Sequence, residues 1–459
     1  MSLTALAEFA ATLDVRALPP DVLGTAKACL LYGGAVGIAG TGLGLPDRVA
    51  RALDQEAPGE GPATRFLDGR RTGTGNAAFA NAVLFHSRIQ EDAHPAGHIG
   101  VVVLPAAIAR AEAEAAPGGD LVAAVVAGYE VALRIGRDHA TALSARGFRT
   151  TPAYGVFGAA AAGARLAGLD GARTAHALAL AAGLASGLRE FVRAGTDDYA
   201  VQAGVAAREG LLAAALAAQG CTGPPSALDG EAGFFRAFGG DAAEPGRRLT
   251  EGLGRAFELV RVSYKPYPVC QFHRGIVRGA LELRRAAERV PLRALTIRLH
   301  PFEADFVGVR HAGPFWSFPQ TFMSAPFCAA LAWARGTVSL AGLHAFEASD
   351  VLALVGRVEV VADAERARYR PRLMAWLQDG RRLEWEEAEG DGAYRLTWDA
   401  AVRMARVLGE EVGVPPALTG RLVEAVERLD GAPGVGPLVE AISAAARAAR
   451  VGPLTPAVR

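Results

Sequence analysis

A short segment that begins at His86 and ends at His98 holds the densest group of side chains suited to acid–base chemistry. A third histidine, His94, lies inside it, together with Glu91 and Asp92. The residues on both sides are apolar and rich in alanine. Ionisable groups are costly to hold between apolar walls unless they have partners or a task, so this segment is the first candidate for a catalytic site.

Two residues inside the segment, Pro95 and Gly97, argue against a regular helix. We therefore expect a loop on a helical scaffold, which is a common place for functional side chains. His94 and His98 would need one face of a helix to bind a metal ion together, so a metal site is disfavoured. A surface loop with solvated polar side chains is the alternative.

A second candidate covers residues 263–274. Two prolines in this segment favour an extended backbone, and a helix is predicted to follow. The N-terminus of a helix favours an anion because its free N–H groups and its dipole present positive charge there. Lys265, His273 and Arg274 are therefore candidates to bind a carboxylate, and a domain hinge with exposed polar groups is the alternative.

Weaker candidates are the polar loop at 147–155, which contains Arg149, and the segment 193–204, which contains Tyr199. Charged turns between helices explain both equally well. No Walker motif, GxSxG elbow or HExxH motif is present. The remaining histidines stand alone and are interpreted as structural or exposed: His139, His176, His300, His311 and His344.

The composition is that of a globular protein, with 51% hydrophobic and 21% charged residues. The 48 basic and 48 acidic residues cancel, which disfavours nucleic acid or a membrane surface as a partner. The four cysteines form no CxxC pair, so neither a zinc site nor a disulfide framework is expected. The N-terminus lacks the pattern of a signal peptide, and we expect a cytoplasmic protein.

Hydrophobic periodicity predicts a mainly α fold: a large helical body plus a smaller α+β domain. Residues 1–261 show helical spacing with alanine and glycine at many apolar positions. Residues 262–395 contain alternating segments, and two of them flank Asp379 and Gly380 as in a β-hairpin. Residues 396–459 return to helical spacing. The α+β domain is thus predicted as an insertion in the helical body.

Several stretches, in order along the chain, resemble the MmgE/PrpD family; they lie at 77–86, 91–98, 128–131, 147–158 and 265–270. The resemblance implies a large helical domain, a smaller α+β lid domain and a homodimer. It also implies catalysis without a metal ion or an organic cofactor. The implied substrates are small di- and tricarboxylates bound between the domains, and the implied chemistry is proton transfer at a carbon next to a carboxylate.

Some family positions are kept and others are changed. The decarboxylase-like pattern of the first loop reads Asp-x-Asp-Asp-Thr, followed by a His-Pro or His-Gly pair. Asp92 and His98 match it, whereas Ile89 and Ala93 stand where the first Asp and the Thr would be. Arg149 occupies the position of a family histidine.

Further along, Tyr199 stands where the family has a lysine, and Lys265 is kept. The pair Phe272 and His273 resembles the dehydratase branch of the family. These matches favour a lyase of the dehydratase type, and an epimerase or isomerase of a similar substrate is the alternative. A non-catalytic relative that only binds a carboxylate is a further possibility.

On this interpretation His98 is the first choice for a general acid or base, since imidazole titrates near neutral pH. Tyr199 or His273 would be the second proton-transfer group, and Asp92 would orient a histidine.

The predicted substrate-binding residues are Arg149, Lys265, Arg274, His94 and Glu91. Arginine is favoured in this role because its guanidinium can bind a carboxylate through two parallel hydrogen bonds.

Overall fold

The structure is a computed structural model that describes residues 2–240 and 248–449. Helices make up 59% of it and one mixed sheet has four strands, which confirms the mainly α fold with a smaller α+β part. The predicted helical ranges include residues 241–247 and 450–459, which lie outside the described residues.

The described part contains 21 α-helices: α1 (Ser2–Thr12), α2 (Pro20–Ala39), α3 (Leu45–Glu56), α4 (Thr74–His86), α5 (Gly100–Ala113), α6 (Gly118–Gly136), α7 (Ala140–Ala145), α8 (Thr150–Leu166), α9 (Gly171–Gly183), α10 (Phe191–Ala194), α11 (Asp198–Ala218), α12 (Phe234–Gly239), α13 (Arg274–Ala286), α14 (Pro301–Ala304), α15 (Phe318–Met323), α16 (Ala325–Arg335), α17 (Leu340–Leu343), α18 (Ser349–Val355), α19 (Trp398–Glu411), α20 (Pro416–Glu427) and α21 (Gly436–Ala448). Its strands are β1 (Ala63–Thr64), β2 (Arg71–Thr72), β3 (Leu292–Leu299), β4 (Val358–Ala362), β5 (Arg372–Leu377) and β6 (Arg382–Glu386). Short 3-10 helices lie at Val15–Ala17, Glu258–Arg261, Gln271–His273, Gly390–Tyr394 and Leu429–Gly431.

The chain divides into two compact units. The first, here called the helical unit, consists of the described residues of 1–189, 198–262 and 396–449. The second, here called the sheet unit, consists of 190–197 and 263–395. The segment 190–197, which contains the short helix α10, groups with the sheet unit although its sequence pattern had placed it in the helical part.

The core of the helical unit is built from α4, α5, α6, α8 and α11, which pack against one another. Small residues permit this close packing. A methyl group on Gly128 of α6 would lie 2.8 Å from the carbonyl oxygen of Gly158 of α8, and one on Gly158 would lie 2.7 Å from the carbonyl oxygen of Gly128. The two helices therefore cross almost backbone to backbone, as small residues at a helix interface allow.

Two helices are long and apolar enough to cross a membrane by length and composition alone, α2 and α11. Both pack inside the helical unit, α2 against α19 and α11 against α8 and α4. Core helices of soluble proteins pass the same test of length and composition. Their apolar character is explained by this packing.

The sheet unit is organised around a four-stranded sheet of order β4-β3-β5-β6. Strand β3 pairs parallel with β4 and antiparallel with β5, and β5 pairs antiparallel with β6. The hairpin predicted at Asp379 and Gly380 joins β5 to β6, and Gly380 supplies the positive φ of +91° that the turn requires. Helices α13 and α16 pack against the strands.

Candidate active site

The loop between α4 and α5 carries most of the candidate residues. Helix α4 ends at His86 and α5 begins at Gly100. His94 and Gly97 exchange two backbone hydrogen bonds of 3.1 and 2.8 Å, which close a tight turn inside the loop. Most of the polar side chains of the loop are buried, so it is not a solvated surface loop.

Buried polar contacts fix the first part of this loop. The Arg88 guanidinium donates to Gln90 Oε1 at 2.7 and 2.9 Å and to the carbonyl oxygen of Ala39 at 3.0 Å. It also pairs with the Glu411 carboxylate at 2.8 Å. The Tyr32 hydroxyl donates to the carbonyl oxygen of Gln90. Because these contacts fix Arg88 and Gln90, they can hold the residue between them in an unfavourable backbone conformation.

Ile89 has such a conformation, with φ at +56°. A β-branched residue in the left-handed region is a genuine outlier, and the conformation costs roughly 1–2 kcal/mol. Strained residues persist where the surrounding structure holds them, and they cluster at functional sites. Ile89 lies between His86 and Glu91, and with this backbone conformation the side chains of those two residues are in contact.

Glu91 lies between two imidazole rings. Its Oε2 is 3.0 Å from Nδ1 of His86, and its Oε1 is 3.4 Å from Nδ1 of His98. The His98 Nδ1 is also 3.0 Å from the carbonyl oxygen of Asp92, and a carbonyl oxygen can only accept. His98 Nδ1 therefore carries a proton, and in the neutral ring the lone pair lies on Nε2.

Arg149 approaches the same group from the N-terminus of α8. One of its Nη atoms contacts Nε2 of His86 and the other donates to the carbonyl oxygen of Tyr199. Burial lowers the pKa of Arg149 to about 10, and the nearby Glu91 carboxylate acts in the opposite direction. The guanidinium is therefore charged at neutral pH, and it provides the positive charge of the cluster.

Tyr199 lies on α11 with its ring edge against the His86 ring, at a centroid distance of 5.4 Å. Its hydroxyl donates to the carbonyl oxygen of Ser87 at 2.8 Å. The phenol is thus buried and engaged with the loop backbone. Its predicted role in proton transfer stays a prediction, and the observed contacts give it a part in holding the loop.

The Asp92 carboxylate contacts a tyrosine of helix α6. It accepts a hydrogen bond from the Tyr129 hydroxyl, and burial together with the charge of Asp92 raises the pKa of Tyr129 and of Cys29. Gly100 leaves room for this carboxylate, because a methyl group there would lie 2.5 and 2.6 Å from its two oxygens. The backbone carbonyl of Asp92 is the group that contacts His98 Nδ1.

His94 belongs to a separate ion-pair network. Its Nδ1 accepts from the backbone N–H of Ala96 at 3.1 Å, and its Nε2 lies 3.4 Å from Glu258 Oε2. Glu258 also pairs with Arg137 at 2.7 Å. Burial acts to raise the pKa of Glu258, but hydrogen bonds from His94 and Arg137 outweigh it and lower that pKa. These contacts support a structural role for His94.

The sheet unit holds the other predicted residues. The Arg274 Nε donates to the carbonyl oxygen of Gln271 at 3.0 Å, and Nη1 donates to Ser263 Oγ at 2.8 Å and to the carbonyl oxygen of Tyr264 at 3.0 Å. Its Nη2 pairs with Asp391. These bonds join distant parts of the sheet unit, and they direct the Arg274 donors toward protein groups.

His273 and Lys265 are fully buried in the sheet unit. The His273 Nδ1 lies 3.1 Å from the carbonyl oxygen of Phe322, so this nitrogen carries the proton. Burial lowers the pKa of His273 to about 4, and the ring is neutral at neutral pH. The assignment of Lys265 as a carboxylate ligand stays a prediction.

The structure thus brings together five of the predicted residues in the helical unit: Glu91, Asp92, His98, Arg149 and Tyr199. It adds one residue that the sequence reasoning did not place in the site, His86. The signal for His86 was its presence in the same dense segment. Its contacts with Arg149 and Glu91 show that His86 lies within the candidate site.

Comparison with known proteins gives one family match and a set of partial relatives. Residues 4–245 match the MmgE/PrpD N-terminal domain. The chain is 31% identical over 283 residues to the cis-aconitate decarboxylase-like protein oryM of Aspergillus oryzae, which covers 58% of each chain. It is 29% identical over 299 residues to the cis-aconitate decarboxylase of Aspergillus terreus, 62% of this chain and 59% of that one.

A third relative is the cis-aconitate decarboxylase of Homo sapiens, which is 37% identical over 165 residues, or 34% of each chain. The matches to the two fungal proteins span somewhat less than three-fifths of their length.

Proposed function

This chain belongs to the MmgE/PrpD family, and on that premise we propose that it is a lyase acting on a small polycarboxylate. The step assigned to its own residues is proton transfer at a carbon next to a carboxylate. The observation that carries the proposal is the environment of His98. Its Nδ1–H is held by the Asp92 carbonyl and faces the Glu91 carboxylate, which leaves Nε2 as the basic nitrogen.

The chemistry follows from this tautomer. Neutral His98 can take a proton from carbon onto Nε2, and the resulting imidazolium is stabilised by the Glu91 carboxylate. In the reverse sense, the imidazolium gives its Nε2 proton to the carbanion that forms when the carbon–carbon bond to a departing CO₂ breaks. A positioned acid or base of this kind contributes typically about 10²–10⁴-fold in rate.

Two considerations favour loss of CO₂ over loss of water. Of the relatives reported above, two are named cis-aconitate decarboxylase and one is named cis-aconitate decarboxylase-like protein. The preference for dehydration rested on Phe272 and His273, and His273 is a buried, neutral ring in the sheet unit with its pKa lowered to about 4. Dehydration and epimerisation become alternative outcomes of the same experiment.

The positive charge of Arg149 supports a polyanionic substrate. Its guanidinium is buried at the N-terminus of α8, and charges in a low-dielectric setting act more strongly than in water.

The proposal is tested by incubating the protein with a panel of di- and tricarboxylates in D₂O and following carbon-bound hydrogen by NMR, with CO₂ measured in parallel. We expect deuterium at a carbon next to a carboxylate, with release of CO₂. Replacing His98 by Gln should lower the rate by about 10²–10⁴-fold, while His176→Gln, a change at a half-buried histidine bonded to Gly223, should not.

Deuterium incorporation without CO₂ would identify a dehydratase or an epimerase. Ligands that bind measurably but never exchange hydrogen would contradict catalysis and favour a binding protein. An active His98→Gln variant would remove His98 from its assigned role.

A further inference from the structure

Three buried side chains form a continuous chain of contacts that ends at His98. Arg149 contacts Nε2 of His86, His86 Nδ1 lies 3.0 Å from Glu91 Oε2, and Glu91 Oε1 lies 3.4 Å from His98 Nδ1. His86 is inaccessible to solvent, Glu91 is 2% exposed and Arg149 is 7% exposed. Such a chain transmits orientation from one residue to the next.

The proton positions in this chain follow from the donor inventory. A guanidinium has only donors, so His86 Nε2 must accept from Arg149. The proton of His86 then lies on Nδ1 and is donated to Glu91. His86 is therefore a neutral imidazole of fixed tautomer, with a cation on one side and an anion on the other.

We infer that His86 and Glu91 are positioning residues for His98, and this inference rests on the proposed function in that His98 is taken as the proton carrier. His86 holds the Glu91 carboxylate ionised and in one orientation. Glu91 then presents its second oxygen to His98 Nδ1, and so stabilises the imidazolium form and keeps Nε2 as the nitrogen that exchanges the proton.

A simple ion pair would not need this arrangement. Arg149 and Glu91 carry opposite charges, and a direct salt bridge between them would compensate both charges without His86. Inserting a neutral ring leaves one carboxylate oxygen directed at His98. Of the neighbouring polar groups, the Asp92 carboxylate accepts from the Tyr129 hydroxyl and the Tyr199 hydroxyl donates to the carbonyl oxygen of Ser87.

A second carboxylate–imidazole pair in the helical unit provides a matched control. Glu258 and His94 show the same carboxylate–imidazole distance of 3.4 Å. Glu258 is, however, bound by Arg137 and Arg261 at 2.7 and 2.9 Å, so its charge is already compensated by two arginines. A change at Glu258 removes a carboxylate of similar type without touching the contacts of His98.

The test is an NMR titration of the full-length protein with isotope-labelled histidine, with the His98→Gln variant used to assign the His98 resonance. In Glu91→Gln the midpoint of the His98 titration should fall by about 1 pH unit, because an opposite charge at this range favours the charged form. Glu91→Asp should restore part of this difference. Glu258→Gln should leave the midpoint within about 0.2 units.

The NMR signals of His86 test the inference in the unmodified protein. Its ¹⁵N shifts should report a proton on Nδ1, and its resonance should not titrate between pH 5 and 9. A His86 that titrates in this range, or a His98 midpoint unchanged in folded Glu91→Gln, would overturn the inference.

The titration uses no substrate, so it can fail while the deuterium exchange succeeds. In the opposite case, a shifted midpoint without any exchange would contradict the proposed function and leave the contact chain intact. With an active substrate, kcat/KM falls at high pH as His98 loses the proton that it gives to the carbanion, and this alkaline limb should move to lower pH in Glu91→Gln by the same amount as the NMR midpoint. A residue that only supports the fold would lower the rate without moving this limb.

Discussion

Glu91 and Asp92 are adjacent carboxylates with opposite surroundings. The Glu91 side chain faces the imidazoles of His86 and His98, and the Asp92 side chain faces Tyr129. The sequence analysis expects Asp92 to orient a histidine and Glu91 to bind substrate, and both roles stay predictions; in the structure the carboxylate that contacts the two imidazoles is that of Glu91. Residue types and spacing located the cluster, but which way each side chain points depends on the left-handed turn at Ile89.

A residue-scale prediction concerns the space around Asp92. In Gly100→Ala the added methyl group would meet both carboxylate oxygens at 2.5–2.6 Å, so Asp92 or Tyr129 must move. We expect a loss of about 1–3 kcal/mol in the free energy of unfolding, measured by urea denaturation. Gly24→Ala is the control, because its methyl group meets no atom within 4 Å; equal stability of the two variants would contradict the prediction.

At the scale of elements, hydrophobic pattern and turn chemistry predicted a large part of the fold. The alternating segments became β3 and β4, and Asp379 with Gly380 became the turn between β5 and β6. These features are local, so they can be inferred from neighbouring residues. The segment 190–197 could not be placed in this way, because its assignment to the sheet unit depends on contacts with residues far along the chain, such as the packing of α10 against α15.

A prediction for the sheet unit arises from Glu303 in the short helix α14. Its Oε1 accepts the backbone N–H of Tyr369 at 2.7 Å, and burial raises the pKa of Glu303 from 4.5 to about 7. The folded state therefore prefers the protonated acid. Stability from this group is present below about pH 4.5 and is lost as pH rises toward 7, by up to about 3 kcal/mol.

Glu303→Gln keeps an acceptor but removes the titration. We expect the variant to be more stable than the parent protein at pH 8 by about 1–3 kcal/mol, with a smaller difference at pH 5, as measured by urea denaturation at both pH values. Glu359→Gln, a change at an exposed carboxylate of β4, is the control. A difference between Glu303→Gln and the parent that is independent of pH would show that burial of the charge is not the cause.

At the scale of the whole molecule, the candidate site depends on residues that are distant in sequence. Arg88 in the α4–α5 loop pairs with Glu411 at the end of α19, 323 positions further along. Helix α19 packs against α2, and the carbonyl oxygen of Ala39 at the end of α2 also accepts a hydrogen bond from Arg88. We call these contacts of Arg88 with Glu411 and Ala39 the Arg88 clamp. The sequence analysis placed residues 396–459 in the helical body, but no local pattern around Arg88 points to its contact with Glu411.

The Arg88 clamp leads to a prediction for Glu411, which lies outside the candidate site. Glu411→Ala leaves the buried Arg88 guanidinium without its carboxylate, and we expect a cost of about 1–3 kcal/mol. Hydrogen exchange of the loop around Arg88 should become faster, and mass spectrometry of peptides from this loop would measure it. Glu410→Ala changes an exposed neighbour on the same helix and should leave the loop protected; similar exchange in both variants would contradict the role of the clamp.

The clamp also sets an order of events during synthesis on the ribosome. Arg88 is made 323 residues before the carboxylate that holds it, which at about 5–20 residues per second corresponds to roughly 20–60 s. During that interval a nascent chain has its histidines and Glu91 but not the contact that fixes the loop between them. Acid–base competence is therefore expected late, after α19 has emerged and docked, so that unfinished chains are inert toward the substrate.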